Sequence, residues 1–85
     1  MAIGADEIRK MLKGRLAEAV LGGPRFMEIN SGEFGRALGI YPTPNRMPNL
    51  CRVLREEMRA NDWIVSKTAD GYDGPRLTIR FGLPR

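Results

Sequence analysis

The 85-residue chain contains no histidine and a single cysteine, Cys51. Without histidine it lacks the commonest general base, and a lone cysteine provides neither an internal disulfide framework nor an ordinary zinc site. An active site would have to start from carboxylates or lysine, and no arrangement of these groups typical of catalysis is present. The sequence therefore predicts a protein that is not an enzyme and that holds no metal or other cofactor.

Long hydrophobic runs are also missing from the chain. Asp6, Glu7 and Lys10 are among the charged residues that interrupt the N-terminal segment, which therefore does not resemble a secretory signal peptide. The apolar stretches are far shorter than the roughly 20 residues that a membrane-spanning helix needs. We therefore expect a cytoplasmic protein that does not bind a membrane.

The chain is short and basic. A sequence of 85 residues can bury one hydrophobic core but not two, so a single domain is expected over residues 1–85. The net charge of +4 and the isoelectric point near 9.8 favour a polyanionic partner, because excess Lys and Arg attract phosphate groups. Many small domains carry such a charge only as a solvated surface, so the placement of the charges has to decide.

The first predicted helix covers about residues 5–21. Its apolar residues recur at helical spacing and fall on one face: Ile8, Met11, Leu12, Leu16, Ala19 and Val20. Gly22, Gly23 and Pro24 form a stop signal directly after it. The sequence therefore predicts an amphipathic helix that packs on the core along one side.

A second helix is predicted over about residues 31–38, after a short strand over about 25–29. Asn30 stands in the N-cap position, with Glu33 three residues later as in a capping box. Ile29 and Phe34 occupy the two positions of a hydrophobic staple. Gly39 can adopt the left-handed conformation that ends a helix.

The third predicted helix covers about residues 46–60 and has two different faces. One face is apolar and is expected to lie in the core: Met47, Leu50, Cys51, Leu54 and Met58. The opposite face is polar and basic and is expected to face solvent: Arg46, Asn49, Arg52, Val53, Glu56 and Arg59. Cys51 is accordingly interpreted as a core residue rather than a redox switch.

Two β-prone runs, about residues 63–68 and 76–81, flank a turn-rich loop and predict a β-hairpin. In the second run Leu77, Ile79 and Phe81 alternate with basic or polar residues, which places the apolar set toward the core. Trp63 follows a helix and begins a strand, where a large ring commonly closes the core. We therefore expect Trp63 to be buried.

The order of helix, short strand, helix, helix and hairpin resembles the winged helix-turn-helix DNA-binding superfamily over about residues 5–81. The resemblance lies in the architecture and rests on the helix entry at 30–34, the turn at Gly39 and Ile40, the helix at 49–59 and the hairpin at 63–81. It implies an α+β fold of winged-helix type, with three helices, a C-terminal two-stranded wing and a short third strand. No motif identifies a narrower family.

In that superfamily the third helix usually enters the major groove and the wing follows the DNA backbone. The resemblance implies base contacts from the outer face of the third helix, because Arg pairs with guanine, Asn with adenine, and an apolar group with the thymine methyl: Arg46, Asn49, Arg52 and Val53. It implies phosphate contacts from a second set: Arg36, Lys67, Arg76 and Arg80. The backbone N–H groups from Ser31 onward, at the start of the second helix, are a further candidate phosphate site.

The sequence thus favours non-catalytic binding to double-stranded DNA, as in a small transcriptional regulator. Glu56 and Glu57 add negative charge to the C-terminal half of the third helix, so base contacts are expected from its N-terminal half. RNA binding through the same basic face is a less favoured option. The alternative function is a winged-helix protein–protein interaction module that binds no nucleic acid, and a homodimer or another protein partner fits either hypothesis.

Overall fold

The computed structural model of the chain describes residues 4–40, 47–66 and 75–84. Within these ranges the chain is a small α+β domain with three helices and a three-stranded antiparallel sheet. The elements are α1 (Ala5–Leu21), β1 (Phe26–Asn30), α2 (Ser31–Ala37), α3 (Met47–Glu56), β2 (Trp63–Ser66) and β3 (Thr78–Gly82). The α+β class and the order of the elements agree with the prediction.

β3 is the central strand of the sheet and pairs with β1 on one side and β2 on the other. Ile79 stands opposite Ile29 of β1 and Ile64 of β2. Leu77, Ile79 and Phe81 are buried, at most 2% exposed, which confirms the predicted alternation along this strand. The sheet therefore presents one apolar face to the helices.

α1 occupies the residues predicted for it and contributes Ile8, Leu12 and Leu16 to the core. These three residues are four apart and form one row along the helix. The burial predicted for Met11 is wrong, since this side chain is 51% exposed. It lies beside the row, at a groove between α1 and α2.

α2 begins as the capping signals predict. The Oδ1 atom of Asn30 accepts a hydrogen bond from the backbone N–H of Glu33 at 2.9 Å, and its Nδ2 donates to Thr78 Oγ1 at 2.9 Å. Ile29 and Phe34 are each 1% exposed. Asn30 belongs to β1 as well as to the cap, so the strand ends one residue later than predicted.

Gly39 has a φ of +75°, which confirms the left-handed conformation predicted after α2. Its N–H donates to Arg36 O at 3.1 Å, and the next N–H, of Ile40, donates to Gly35 O at 2.8 Å. These bonds satisfy the carbonyl groups of Gly35 and Arg36 at the helix end. Residues 41–46, which include Pro42 and Pro44, lie outside the described residues.

The apolar face of α3 is confirmed. Met47, Leu50, Cys51 and Leu54 are buried, and Met58 packs against them from beyond the helix end. Cys51 is 0% exposed and is a core residue, as expected.

α3 ends at Glu56, before the predicted end at residue 60. The N–H of Met58 donates to Arg55 O, three residues back, which tightens the chain after the helix. The N–H of Arg59 then donates to the side chain of Asp62 at 2.7 Å. A side chain that follows the helix thus takes one of the bonds that would have continued it.

The buried position predicted for Trp63 is wrong, because its side chain is 53% exposed. Trp63 stands opposite Arg80 in the β2–β3 ladder and so lies on the outer face of the sheet. Phe81, the neighbour of Arg80 on β3, faces inward and fills the core. Strand pairing, rather than ring size, decides on which side the indole lies.

β3 begins later than the predicted strand, which starts at about residue 76. Leu77 O accepts the N–H of Ser31 at 2.7 Å, and the strand begins at Thr78. The last two residues predicted for the first hairpin strand, Lys67 and Thr68, lie outside the described residues, as does most of the predicted hairpin loop.

Gly32 is the position where α2 approaches the segment before β3 most closely. A Cβ atom there would lie 2.8 Å from Pro75 O and 2.9 Å from Pro75 Cβ. We expect Gly32→Ala to lower the free energy of unfolding by about 1 to 3 kcal/mol, because backbone must shift to admit the methyl group. Urea denaturation followed by circular dichroism measures the change.

Gly14→Ala is the matched control for that substitution. A Cβ at Gly14 meets nothing within 4 Å, and the residue lies inside α1. This variant should gain up to about 1 kcal/mol from helix propensity. Equal changes in stability in the two variants would contradict the close approach at Gly32.

Asp62 joins the end of α3 to β3. Its carboxylate accepts the N–H of Arg59 and the N–H of Gly82, both at 2.7 Å, and the residue is 8% exposed. We expect Asp62→Ala to destabilise the fold by about 2 to 4 kcal/mol, since it removes a charged acceptor from two backbone amides. Asp62→Asn retains one carbonyl acceptor, so its free energy of unfolding in urea should lie between those of the parent chain and Asp62→Ala. A loss below about 0.5 kcal/mol for Asp62→Ala would argue against this role of the carboxylate.

Candidate nucleic-acid interface

Asn49 and Arg52 form a polar pair on the surface of α3. Arg52 is exposed and Asn49 is half-buried. They are three residues apart and therefore lie side by side on the helix, where Arg52 Nη2 donates a hydrogen bond to Asn49 Oδ1. The pair lies in the N-terminal part of α3, where the sequence predicted base contacts.

The base contact predicted for Val53 is wrong, because Val53 is 0% exposed. α3 packs against both α1 and α2, so its buried arc is wider than the apolar arc that the sequence indicated. Glu57, one turn after Val53, pairs with Lys13 of α1 and shows that α1 covers this side of the helix. Val53 contributes to the core and not to the surface.

The two acidic residues at the end of α3 form ion pairs with basic residues of α1. Arg9 Nη2 lies 3.1 Å from Glu56 Oε1, and Lys13 Nζ lies 3.6 Å from Glu57 Oε1. Arg9 Nε lies a further 4.0 Å from Glu57 Oε2. Glu56 and Glu57 are therefore paired with basic residues of another helix, and Arg9 also pairs with Asp6 of its own helix at 3.1 Å.

The N–H groups at the start of α2 do not form a phosphate site, contrary to the prediction. Ser31 N donates to Leu77 O at 2.7 Å, and Gly32 N donates to Pro75 O at 3.2 Å. The N–H of Glu33 donates to the Asn30 side chain. The first three donors of the helix are thus occupied by the protein itself, and an anion would have to displace them.

Two of the predicted phosphate-binding residues lie on the surface. Arg36 is exposed in the last turn of α2, and Arg76 is exposed two residues before β3. The carbonyl of Arg76 accepts the hydroxyl of Ser66 at 3.0 Å, which fixes its backbone to the end of β2. Arg46 and Lys67, the remaining members of the two predicted sets besides Arg80, lie outside the described residues.

Arg80 lies on the outer face of the sheet and is already engaged there. Its Nε and Nη2 atoms donate to Glu28 Oε2 at 3.0 and 2.6 Å. The guanidinium lies 4.3 Å from the ring centroid of Phe26 and 5.3 Å from that of Trp63. A phosphate at Arg80 would have to share it with a carboxylate, so we do not base the interface on this residue.

The sequence did not reveal the partners of Arg80. Phe26 and Glu28 alternate along β1 and share a face, which a period of two can indicate. The contact of this face with Arg80 and Trp63 depends on the register of all three strands. β1 is far from β2 and β3 in the sequence. The sequence therefore indicates which residues of β1 share a face, but not which residues of the other strands they contact.

Within the described ranges, no group of three His, Cys, Asp or Glu residues could hold a metal ion. None of the helices in these ranges is long and apolar enough to cross a membrane.

The chain matches no protein-family model, and comparisons with curated proteins and with solved structures found no significant similarity.

Val53 and Arg52 are neighbours in sequence with opposite surroundings, and substitution distinguishes them. Val53→Ala should lower the free energy of unfolding by about 1 to 3 kcal/mol, because it leaves a cavity between α3 and its neighbours. Arg52→Ala should change it by less than about 0.5 kcal/mol, as expected for an exposed residue. Thermal and urea denaturation of both variants test this, and a neutral Val53→Ala would place Val53 at the surface after all.

Proposed function

We propose that this chain is a winged-helix protein that binds double-stranded DNA without catalysis, through the surface of α3 around Asn49 and Arg52 and through the segment before β3, as a small transcriptional regulator. The observation that carries the proposal is the surface pair on α3 of half-buried Asn49 and exposed Arg52, on a helix whose acidic end forms ion pairs with α1.

The architecture supports the winged-helix assignment. The elements follow the order helix, strand, helix, helix, strand, strand, on which the resemblance to that superfamily rests. β1 supplies the short third strand and pairs with β3. A third helix with an exposed polar face and a C-terminal hairpin are the two parts that such proteins place against DNA.

The chemistry of the pair suits the major groove. An arginine can donate two hydrogen bonds to guanine, and an asparagine can bind the N6 and N7 atoms of adenine. The bond between Arg52 and Asn49 uses one of the five N–H donors of a guanidinium, which leaves others for a base. Because each side chain restrains the other, less conformational entropy is lost when DNA binds.

Arg36 and Arg76 are assigned phosphate contacts. Both are exposed, Arg36 in the last turn of α2 and Arg76 two residues before β3, and the backbone carbonyl of each accepts a hydrogen bond. Contacts of this kind position a protein on the duplex without reading its sequence. We add Arg46 and Lys67 to the proposal on the sequence pattern alone.

The test is a fluorescence-anisotropy titration with a labelled duplex of about 20 base pairs, at two salt concentrations roughly fourfold apart. The affinity should fall steeply with salt, with a slope of about 0.9 per phosphate contact. Arg52→Gln should weaken binding to a selected site about tenfold or more. Arg76→Gln should weaken binding to all duplexes and lower the salt slope by about one.

Arg25→Gln is the matched control. Arg25 is exposed, and its carbonyl accepts the N–H of Leu83, which places it at the Gly82 end of the sheet rather than the Thr78 end near Arg76. It removes the same charge and should leave the affinity within about twofold of the parent chain.

Folded protein that fails to bind duplex at low salt would overturn the proposal and favour the protein-interaction alternative. An equal loss in Arg25→Gln and Arg52→Gln would show that net charge alone attracts the DNA. Tighter binding to RNA than to a DNA duplex of the same sequence would favour RNA binding as the function.

A further inference from the structure

One side of α1 packs on the core, and another side faces solvent along the whole length of the helix. We call this side the outer face of α1; its residues are all exposed and recur at helical spacing: Glu7, Lys10, Met11, Gly14, Ala17, Glu18 and Leu21. Two of them are large and apolar, with Met11 51% and Leu21 87% exposed. Exposed apolar side chains in line on one helix indicate a surface that another helix can cover.

Gly14 lies at the centre of the outer face. A glycine inside a helix destabilises it by about 1 kcal/mol relative to alanine. A Cβ there would meet nothing within 4 Å, and the backbone shows no positive φ, so no described neighbour requires the glycine. A missing side chain at this level allows a second helix to approach closely.

Lys10 and Glu18 stand four residues before and four residues after Gly14. In their own helix they are about 12 Å apart along the axis, too far to pair. Neither forms an ion pair with another residue in the ranges that the structure describes. Two opposite charges at equal distance from a central residue make the face complementary to itself.

We propose that two copies of this chain dimerise through the outer face of α1, with the helices antiparallel and a twofold axis at the level of Gly14. Such an axis brings each residue level with the one equally far beyond the centre in the second copy. Lys10 then meets Glu18 of the second copy, twice in the dimer. Met11 is then level with Ala17 of the second copy, and Leu21 is level with Glu7.

The groove beside the outer face supports this occupant. It is about 600 Å³ in volume and runs between α1 and α2, lined in part by Met11, Gly14, Ala37 and Leu38. Side chains from a second α1 have an apolar wall to pack against there. The groove also has Lys10 and Glu18 among its lining residues, so charge and apolar surface coincide.

The basic residues next to Gly14 do not oppose the pairing. Lys13 and Arg15 stand on either side of Gly14 and would be level with each other across the axis. Lys13 points to Glu57 of α3, and the Arg15 guanidinium lies 4.8 Å from the ring centroid of Phe34. Both are held by their own chain, Lys13 against α3 and Arg15 at the wall of the groove beside Phe34.

Sedimentation equilibrium tests the proposal without any nucleic acid. At about 100 μM the parent chain should sediment with twice the 9.5 kDa chain mass. Lys10→Glu and Glu18→Lys should each weaken the dimer about tenfold, because each places like charges against each other at two symmetric positions. The double variant should return to the parent affinity, which only contact between copies can produce.

Gly14→Gln provides an independent arm. Glutamine forms helices better than glycine, so the variant should melt no lower than the parent, while its side chain holds the two helices apart. It should sediment as a monomer. A parent chain that is monomeric at about 100 μM, or a double charge reversal that fails to restore the dimer, would overturn the proposal. A dimer that Gly14→Gln leaves intact would do the same.

Discussion

The junction between β1 and α2 is the contact on which the rest of the structure depends. Asn30 ends the strand, caps the helix and bonds to Thr78, and the next two N–H groups donate to carbonyls of the segment before β3. A strand, a helix and the central strand of the sheet are therefore fixed to one another within three residues. The price of this compactness is that Gly32 must remain without a side chain.

Local signals in the sequence predicted the helix cap at Asn30 and most elements of the fold, but not the bonds from Ser31 and Gly32 to the segment before β3. The Asn30 cap and the left-handed Gly39 each depend on residues close together in the chain, and each is confirmed; Ile29 and Phe34, the two staple residues, are both buried. The alternation of β3 is confirmed for the same reason. In these cases the neighbours that decide the conformation are visible in the sequence itself.

The errors concern residues whose surroundings come from distant parts of the chain. Val53 is buried because α1 covers a side of α3 that the sequence pattern predicts to face solvent. Trp63 is exposed because β2 pairs with β3 in a particular register. Met11 is exposed because α1 packs along a single row. Periodicity gives the direction of a side chain from its own element, but not which element stands in that direction.

Trp63 is the one tryptophan of the chain, and its exposed position makes it an optical probe of the sheet surface. Its indole is already half in water in the folded protein and has the Arg80 guanidinium near its ring. Emission from this ring therefore reports on the ladder between β2 and β3, and the wavelength should shift little when the interior opens. Intrinsic fluorescence therefore monitors the outer face of the sheet. Detection of collapse or loss of the apolar interior requires a fluorescent label placed elsewhere in the chain.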